Sequence, residues 1–301
     1  MDRFSELEAF VAVAEAGGFN AAARRLNRSP PTVTRLVSAL EARIQARLFT
    51  RTTRQVALTE AGAQLFREAR RLLEAWRAAE AAAAGAFEEP IGVLSVTAPV
   101  IFGRRYVAPL LRAFAEAHPR VVARAVFVDR VAHLVEEGLD VAVRLGELPD
   151  SSLTAVKVGE VRRVVVAAPR YVAEQGAPET PEGLAAHRLA APGLEAREQR
   201  WEFAAAGAKR VVPIAPALMC DSIDVSIDAA LEGWAIARVM SYQVADAVKE
   251  GRLVELLAAF EDRRTPVHLV HAEGPLRAAK VRAFVETATR ELRREAPSWR
   301  L

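Results

Sequence analysis

The sequence predicts a molecule in two parts: a small N-terminal helical domain carrying a winged helix-turn-helix, and an α/β domain behind it, with one long helix between them. Three observations predict this. Apolar residues in the first sixty positions recur at helical spacing between tight turns. A proline-free helical pattern then runs from Thr59 to about Phe87. From Pro90 onward, β-rich apolar runs alternate with helical ones.

The chain has 301 residues, about half of them apolar and a quarter charged, as expected of a folded protein of two domains. Cys220 is the single cysteine, so no disulfide framework forms within the chain and a reducing cytoplasm fits; it is expected as a packed small hydrophobe. "MDRFSELEAF" has no apolar signal region, and no stretch approaches the ~20 apolar residues of a membrane span. The positive charge is uneven. Residues 1–59 hold nine arginines, no lysine and five acids, whereas residues 60–89 hold four arginines and six glutamates. Basic excess in the first fifth of the chain suits a nucleic-acid partner.

Phe4, Leu7, Phe10, Val11 and Ala14 give the first helix one apolar face. Glycine in "GGFN" (17–20) ends it, and Asn20 is expected to cap a short second helix that stops near Asn27. Ser29 caps a third helix, with Pro30 and Pro31 in its first turn, where N–H groups lack intrahelical partners. At 100° per residue, Val33, Leu36, Val37, Leu40 and Ile44 form the core face. Pro31, Arg35, Ser38 and Ala42 lie opposite, flanked by Thr32 and Thr34. An ordinary solvated face carries Glu and Lys; this one is short-chained except for Arg35, so a large flat object can come close. Two short helices, a tight turn and such a face make a helix-turn-helix, whose second helix reads base edges in the major groove. The strand-like pieces "RLFTR" and "QVAL" then form a hairpin wing. Arg51, Thr52, Thr53 and Arg54 at its tip suit phosphate contact.

In the long helix, Leu65, Ala69, Leu72, Trp76, Ala79 and Ala83 are spaced 4, 3, 4, 3, 4, the seam of a coiled coil. Thr59 caps this helix and Glu60 sits at the positive end of its dipole. Beyond Pro90, "GVLSVTA", "VVARAVFV" and "DVAVRLG" read as strands, with "RRYVAPLLRAFAEAHP" and "DRVAHLVEEG" as helices between them. A second set follows: strands "VRRVVVAAP" and "VVPIAPALM", helix "SIDVSIDAALEG", strand "WAIARVM". Strand "PVHLVHA" and a helix from Leu276 to about Arg294 close the chain. A mostly parallel sheet covered by helices is expected. No GxSxG, Walker loop, GxGxxG or HExxH occurs, so no catalytic residue, cofactor or metal site is assigned. His268 and His271, three apart on a strand, point to opposite faces. Two other readings stay open: a small-molecule-binding protein whose N-terminal domain contacts protein rather than DNA, and a hydrolase or transferase with its catalytic groups in a cleft.

The stretch "FVAVAEAGGFNAAARRLNRSPPTVTRLVSALEARIQARLFTRTTRQVALTEAG" resembles the N-terminal domain of the LysR-type transcriptional regulators. The likeness rests on Phe19, Ala22, Ala23, Leu26, Ser29, Val33, Thr34, Arg35, Leu40, Glu41, Leu48, Phe49, Arg51, Leu58, Thr59, Glu60 and Gly62. Many relatives have Gln where this chain has Pro30; proline cannot hydrogen-bond there, which shifts readout to Pro31, Thr32, Thr34, Arg35 and Ser38. The resemblance implies promoter DNA as partner, with RNA polymerase as a further one. It implies pairing through the long helix, as a homodimer or homotetramer.

It extends, more weakly, over the α/β region as an effector domain of two periplasmic-binding-protein-like lobes. Expected bounds are 1–58 for DNA binding, 59–89 for the linker helix and 90–301 for the effector domain, with lobe I at 90–162 and 268–301 and lobe II at 163–267. A small-molecule effector, commonly an organic acid, would bind between the lobes beyond the strand ends at 97–103, 128–130, 144–147 and 220–224. Relatives imply contacts from Thr97, Val100 and Phe102. Arg144 adds positive charge or pairs with Asp129, Ser222 opens a helix toward the cleft, and Trp201 is core or ligand wall.

Overall fold

The computed structural model describes residues 2–51, 56–83, 89–148, 153–194, 198–205, 208–261, 263–272, 278–299 and 301. Helix α1 (Arg3–Ala16) starts at Asp2, whose carboxylate accepts the Phe4 N–H at 3.1 Å, and stops at left-handed Gly17. Helix α2 (Phe19–Arg25) begins directly after Gly18. Asn20 therefore lies inside the first turn rather than capping it, because the chain is already helical at Phe19. Helix α3 (Pro30–Ile44) is capped as expected: Ser29 Oγ accepts the Thr32 N–H at 3.4 Å. Val33, Leu36, Val37 and Leu40 are buried beside Phe10, Ala22 and Phe49. Ile44 is not: it is 36% exposed in the last turn, where the chain leaves the core through left-handed Gln45.

Strands β1 (Phe49–Arg51) and β2 (Val56–Leu58) pair antiparallel, with Arg51 opposite Val56. Helix α4 (Glu60–Ala83) follows, its first turn closed by Thr59 Oγ1, which accepts the Gly62 N–H at 3.0 Å. Leu65, Phe66, Ala69 and Leu73 pack into the core formed by α1 and α3.

The α/β region is built on one mixed sheet in the order β10-β7-β11-β6-β13-β5-β3-β4. Its first lobe contains β3 (Gly92–Ala98), β4 (Val121–Phe127) and β5 (Val141–Leu145), mutually parallel. Helices α5 (Val100–Phe102) and α6 (Ala108–Ala117) flank a π-helical turn at Gly103–Val107. The long strand β6 (Leu153–Ala167) follows, then α7 (Pro169–Gln175) and β7 (Leu189–Pro192). Next come β8 (Gln199–Ala205) and β9 (Ala208–Ile214), a separate hairpin, and β10 (Leu218–Cys220). Helix α8 (Ile223–Leu231), β11 (Ile236–Met240), α9 (Ser241–Lys249) and β12 (Val254–Leu256) complete the second lobe. Strand β13 (Arg264–Ala272) and helix α10 (Ala279–Glu295) return to the first.

Strand β6 belongs to both lobes. Through Arg162 it pairs with β13; from Arg163 it pairs with β11 and β12. The sheet is not mostly parallel. Strands within each lobe run parallel, but β6 and β13 cross between lobes and pair antiparallel with their neighbours. The expected helix at 129–138 is absent as well. Ala132, Leu134 and Leu139 are buried while Val131 and Val135 are exposed, which is not a helical stripe. Arg130 and Glu137 instead form a two-pronged pair at 2.7 Å that ties a turn-rich loop together.

Candidate functional sites

The face of α3 opposite the core is as bare as the wheel requires. Pro31, Arg35, Ser38 and Ala42 are exposed, and Thr32 and Thr34 are half-buried. The hydroxyls of Ser29 and Thr32 lie 2.8 Å apart, and Thr34 Oγ1 donates to the Pro30 carbonyl at 3.0 Å. Thr34 thus spends its hydrogen on its own helix turn, and the Thr32 hydroxyl is engaged by Ser29. Arg35 and Ser38 have no hydrogen-bond or ion-pair partner among the described residues, so Arg35 is the strong donor this face presents. Arg51 ends β1; Thr52, Thr53 and Arg54 lie outside the described residues.

Two supports of this surface, named in the sequence only as part of the family resemblance, had no role assigned there. Glu41, on the last turn of α3, is buried and accepts the Leu48 N–H at 2.8 Å and the Phe49 N–H at 3.3 Å, with Arg47 beside it at 3.4 Å. That carboxylate fixes the wing relative to the recognition helix. Gly62 supplies the other support. A Cβ there would lie 2.1 Å from the Leu48 carbonyl oxygen, so only glycine lets α4 pass so close. A charged residue among apolar neighbours and a glycine early in a helix were the available signals.

The α4 stripe divides. Ala69 is 2% exposed and faces its own domain, as does half-buried Leu65, because α1 and α3 need a third helix to close their core. Leu72 and Trp76 remain about half exposed, at 49% and 48%. Trp76 also stacks on Phe4, ring centroids 4.8 Å apart. The side chain of Ala79 lies outside the described residues.

In the α/β region the structure brings Thr97, Asp129 and Arg144 to one cavity of about 340 Å³ at the ends of β3, β4 and β5. Thr97 is buried; Arg144 is half-buried and donates to the Ala132 carbonyl at 2.9 Å, not to Asp129. Asp129 instead accepts the Val100 N–H at 3.0 Å. The helix start expected to receive a ligand's carboxylate already holds one from the chain itself. Val100 therefore takes part through its backbone. Phe102 takes no part: it is fully buried, with ring centroids 5.0 Å from Trp299 and 5.2 Å from Tyr242. The helical turn after Val100 swings it inward, into the core.

Ser222 caps α8 without a side-chain hydrogen bond, and Asp224 two residues on lies 3.8 Å from Arg104 of the first lobe. Trp201 is buried, and it lines a second cavity, of about 690 Å³, between the lobes. Its floor carries the buried pair Arg238–Glu261, with the Arg238 guanidinium 4.7 Å from the Phe203 ring centre. Cys220 is half-exposed rather than packed in the core, and its thiol donates to Asp221 at 3.4 Å. Among the described residues no three His, Cys, Asp or Glu side chains cluster as a metal site would require, and no helix is long and apolar enough to cross a membrane.

Comparison with known proteins gives two family matches that together span most of the chain. Residues 4–63 match the bacterial regulatory helix-turn-helix protein, lysR family. Residues 87–293 match the LysR substrate binding domain. The HTH-type transcriptional regulator CrgA of Neisseria meningitidis is 33% identical over 288 residues, 95% of this chain and 96% of CrgA. An HTH-type transcriptional repressor of Pseudomonas aeruginosa is 32% identical over 287 residues, 95% of this chain and 90% of that one. The solved CrgA structure superposes with a TM-score of 0.61 at 34% identity, covering 95% of this chain and 98% of CrgA. The full-length virulence activator AphB of Vibrio cholerae superposes at 0.60 with 25% identity, covering 96% and 98%.

Proposed function

Because the chain belongs to the LysR family of transcriptional regulators, with a DNA-binding helix-turn-helix and an effector-binding domain, we propose that it reads promoter DNA as a homodimer or homotetramer under the control of a small organic acid. Residues 1–58 make the DNA contacts, 59–89 the pairing helix and 90–301 the sensor, its lobes meeting where β6 passes from Arg162 to Arg163. The work takes place in the cytoplasm, where promoters and RNA polymerase are found.

The observation that carries this reading is the Arg35 guanidinium, without a partner among the described residues, on an otherwise short-chained, exposed face of α3. Inserted in a major groove, that group suits the O6 and N7 acceptors of a guanine. Pro31, Thr32, Thr34 and Ser38 supply shape and apolar contact around it. Ser29 holds the helix start, and Arg51 through Arg54 reach phosphate from the wing.

The acid enters the cavity at Thr97, Asp129 and Arg144. Its carboxylate displaces Asp129 from the Val100 N–H and takes Arg144 as counter-ion, and Ser222 approaches from the second lobe. Such a ligand favours one arrangement of the lobes, and a differential affinity of ~1–3 kcal/mol is enough to alter DNA occupancy. The test is binding of the full chain to its own upstream DNA at physiological salt, with a scrambled duplex as competitor. Preference for the upstream fragment supports the reading; equal competition by the scrambled duplex contradicts it.

A further inference from the structure

Strand β6 does not cross between the lobes evenly. Val267 of β13 stands opposite Gly159, but the next residue, His268, stands opposite Lys157, so Val158 is an extra residue in β6. Such a bulge bends its strand and increases the local twist. Gly159 leaves a notch beside it, just before β6 passes to the second lobe. A Cβ on Gly159 would come within 2.5 Å of the Trp299 ring and 2.8 Å of the Ala296 methyl. The notch is thus filled by the end of the chain itself, the short helical turn Ala296–Trp299.

Trp299 is fully buried, and its surroundings come from both lobes. Its ring centre lies 5.0 Å from Phe102 and 5.5 Å from Tyr106, both of the first lobe. Those two rings pack in turn on Tyr242 of α9, in the second lobe, at 5.2 and 6.3 Å. The backbone is held as well. Ser241 Oγ, at the start of α9, donates to the Trp299 carbonyl at 2.6 Å and accepts the Arg162 N–H at 3.3 Å. One hydroxyl therefore joins the chain end, the second lobe and the crossing strand. Beside it, Arg105 of the first lobe donates to the Tyr242 carbonyl at 2.7 Å. The buried indole N–H of Trp299 has no hydrogen-bond partner among the described residues. That costs free energy, so the position uses the bulk of the ring rather than its polar edge.

We propose that Trp299 is a positioning residue, a wedge that fixes the bend of β6 and with it the resting angle between the lobes. Close-packed interiors transmit such a constraint instead of absorbing it. An effector that favours another arrangement of the lobes must work against this packing. The wedge acts within one chain, whatever the effector and with or without DNA.

The experiment measures the distance between the lobes by pulsed electron paramagnetic resonance on the full chain. Spin labels go on Arg124→Cys in β4 and Lys249→Cys in α9, both exposed, in a Cys220→Ser background. Labelled chain is diluted in excess unlabelled chain, so that distances within one chain are read. Trp299→Leu empties part of the notch, and Ser241→Ala removes the shared hydroxyl while leaving the packing in place. Leu94→Ala opens a cavity in the first lobe, two strands removed from β6, and controls for general loosening. Both junction variants should shift the mean distance by about 2 Å or more, or broaden its distribution to that extent, while Leu94→Ala leaves it unchanged. Thermal unfolding checks each fold; if Trp299→Leu does not fold, Ser241→Ala decides alone. An unchanged distribution in the junction variants, or an equal change in Leu94→Ala, overturns the assignment.

Discussion

Arg35 projects from α3 with no partner among the described residues, and the hydroxyls of its neighbours Thr32 and Thr34 are engaged within their own helix turn. Arg35→Ala should therefore cost about 1–3 kcal/mol of operator affinity and blur base preference. Competition assays against single-base operator variants read both, and unchanged discrimination would rule out base reading by this arginine. Asp129 poses the opposite case, a carboxylate standing where a ligand's carboxylate would go. Asp129→Asn keeps an acceptor for the Val100 N–H but removes the like charge. Organic-acid binding should tighten several-fold, and a titration showing weaker binding would mean Asp129 itself contacts the ligand. The bare, exposed face of α3 was legible in the sequence because helical periodicity assigns each position to a side. Glu41 and Phe102 were less so: what they touch depends on neighbours distant in sequence, the wing backbone for one and Trp299 for the other.

At the level of elements, helices announced themselves and strand partners did not. The α3 cap and the closing of α4 by Thr59 follow from local chemistry. The antiparallel crossing of β6 and β13 depends on pairings about a hundred residues apart, which no local pattern encodes. The loop at 129–138 misleads because valines stand where a helix would bury them, while Arg130 and Glu137 tie the segment to itself. The Arg130 guanidinium, helped by the His133 N–H, lowers the Glu137 carboxyl to about 2. Gly62 joins α4 to the wing, so Gly62→Ala should destabilise the N-terminal domain by about 1–3 kcal/mol through overpacking against the Leu48 carbonyl. Thermal unfolding measures this, and an unchanged midpoint would show that the approach relaxes freely. Farther along α4, Leu72 and Trp76 form the open part of the expected seam. Leu72→Glu should shift the oligomer toward monomer in sedimentation velocity without unfolding the domain; an intact oligomer would place the pairing surface elsewhere.

For the whole molecule, the α/β region is a two-lobed sensor whose lobes share strands, so a ligand that changes their arrangement acts through β6 and β13. Two cavities differ in chemistry, one within the first lobe and one at that junction. The smaller one is closed at its helix start by Asp129; the larger carries excess positive charge. In the proposed dimer, two copies of α3, set apart by the linker helices, would address two half-sites on one side of the duplex. The most direct measurement is a footprint of the full chain on its own upstream DNA at physiological salt. Protection of two half-sites with centres about 10–10.5 base pairs apart, or a multiple of that, is expected. Uniform protection at every sequence, or none, would contradict the assignment of the bare face of α3 to the major groove.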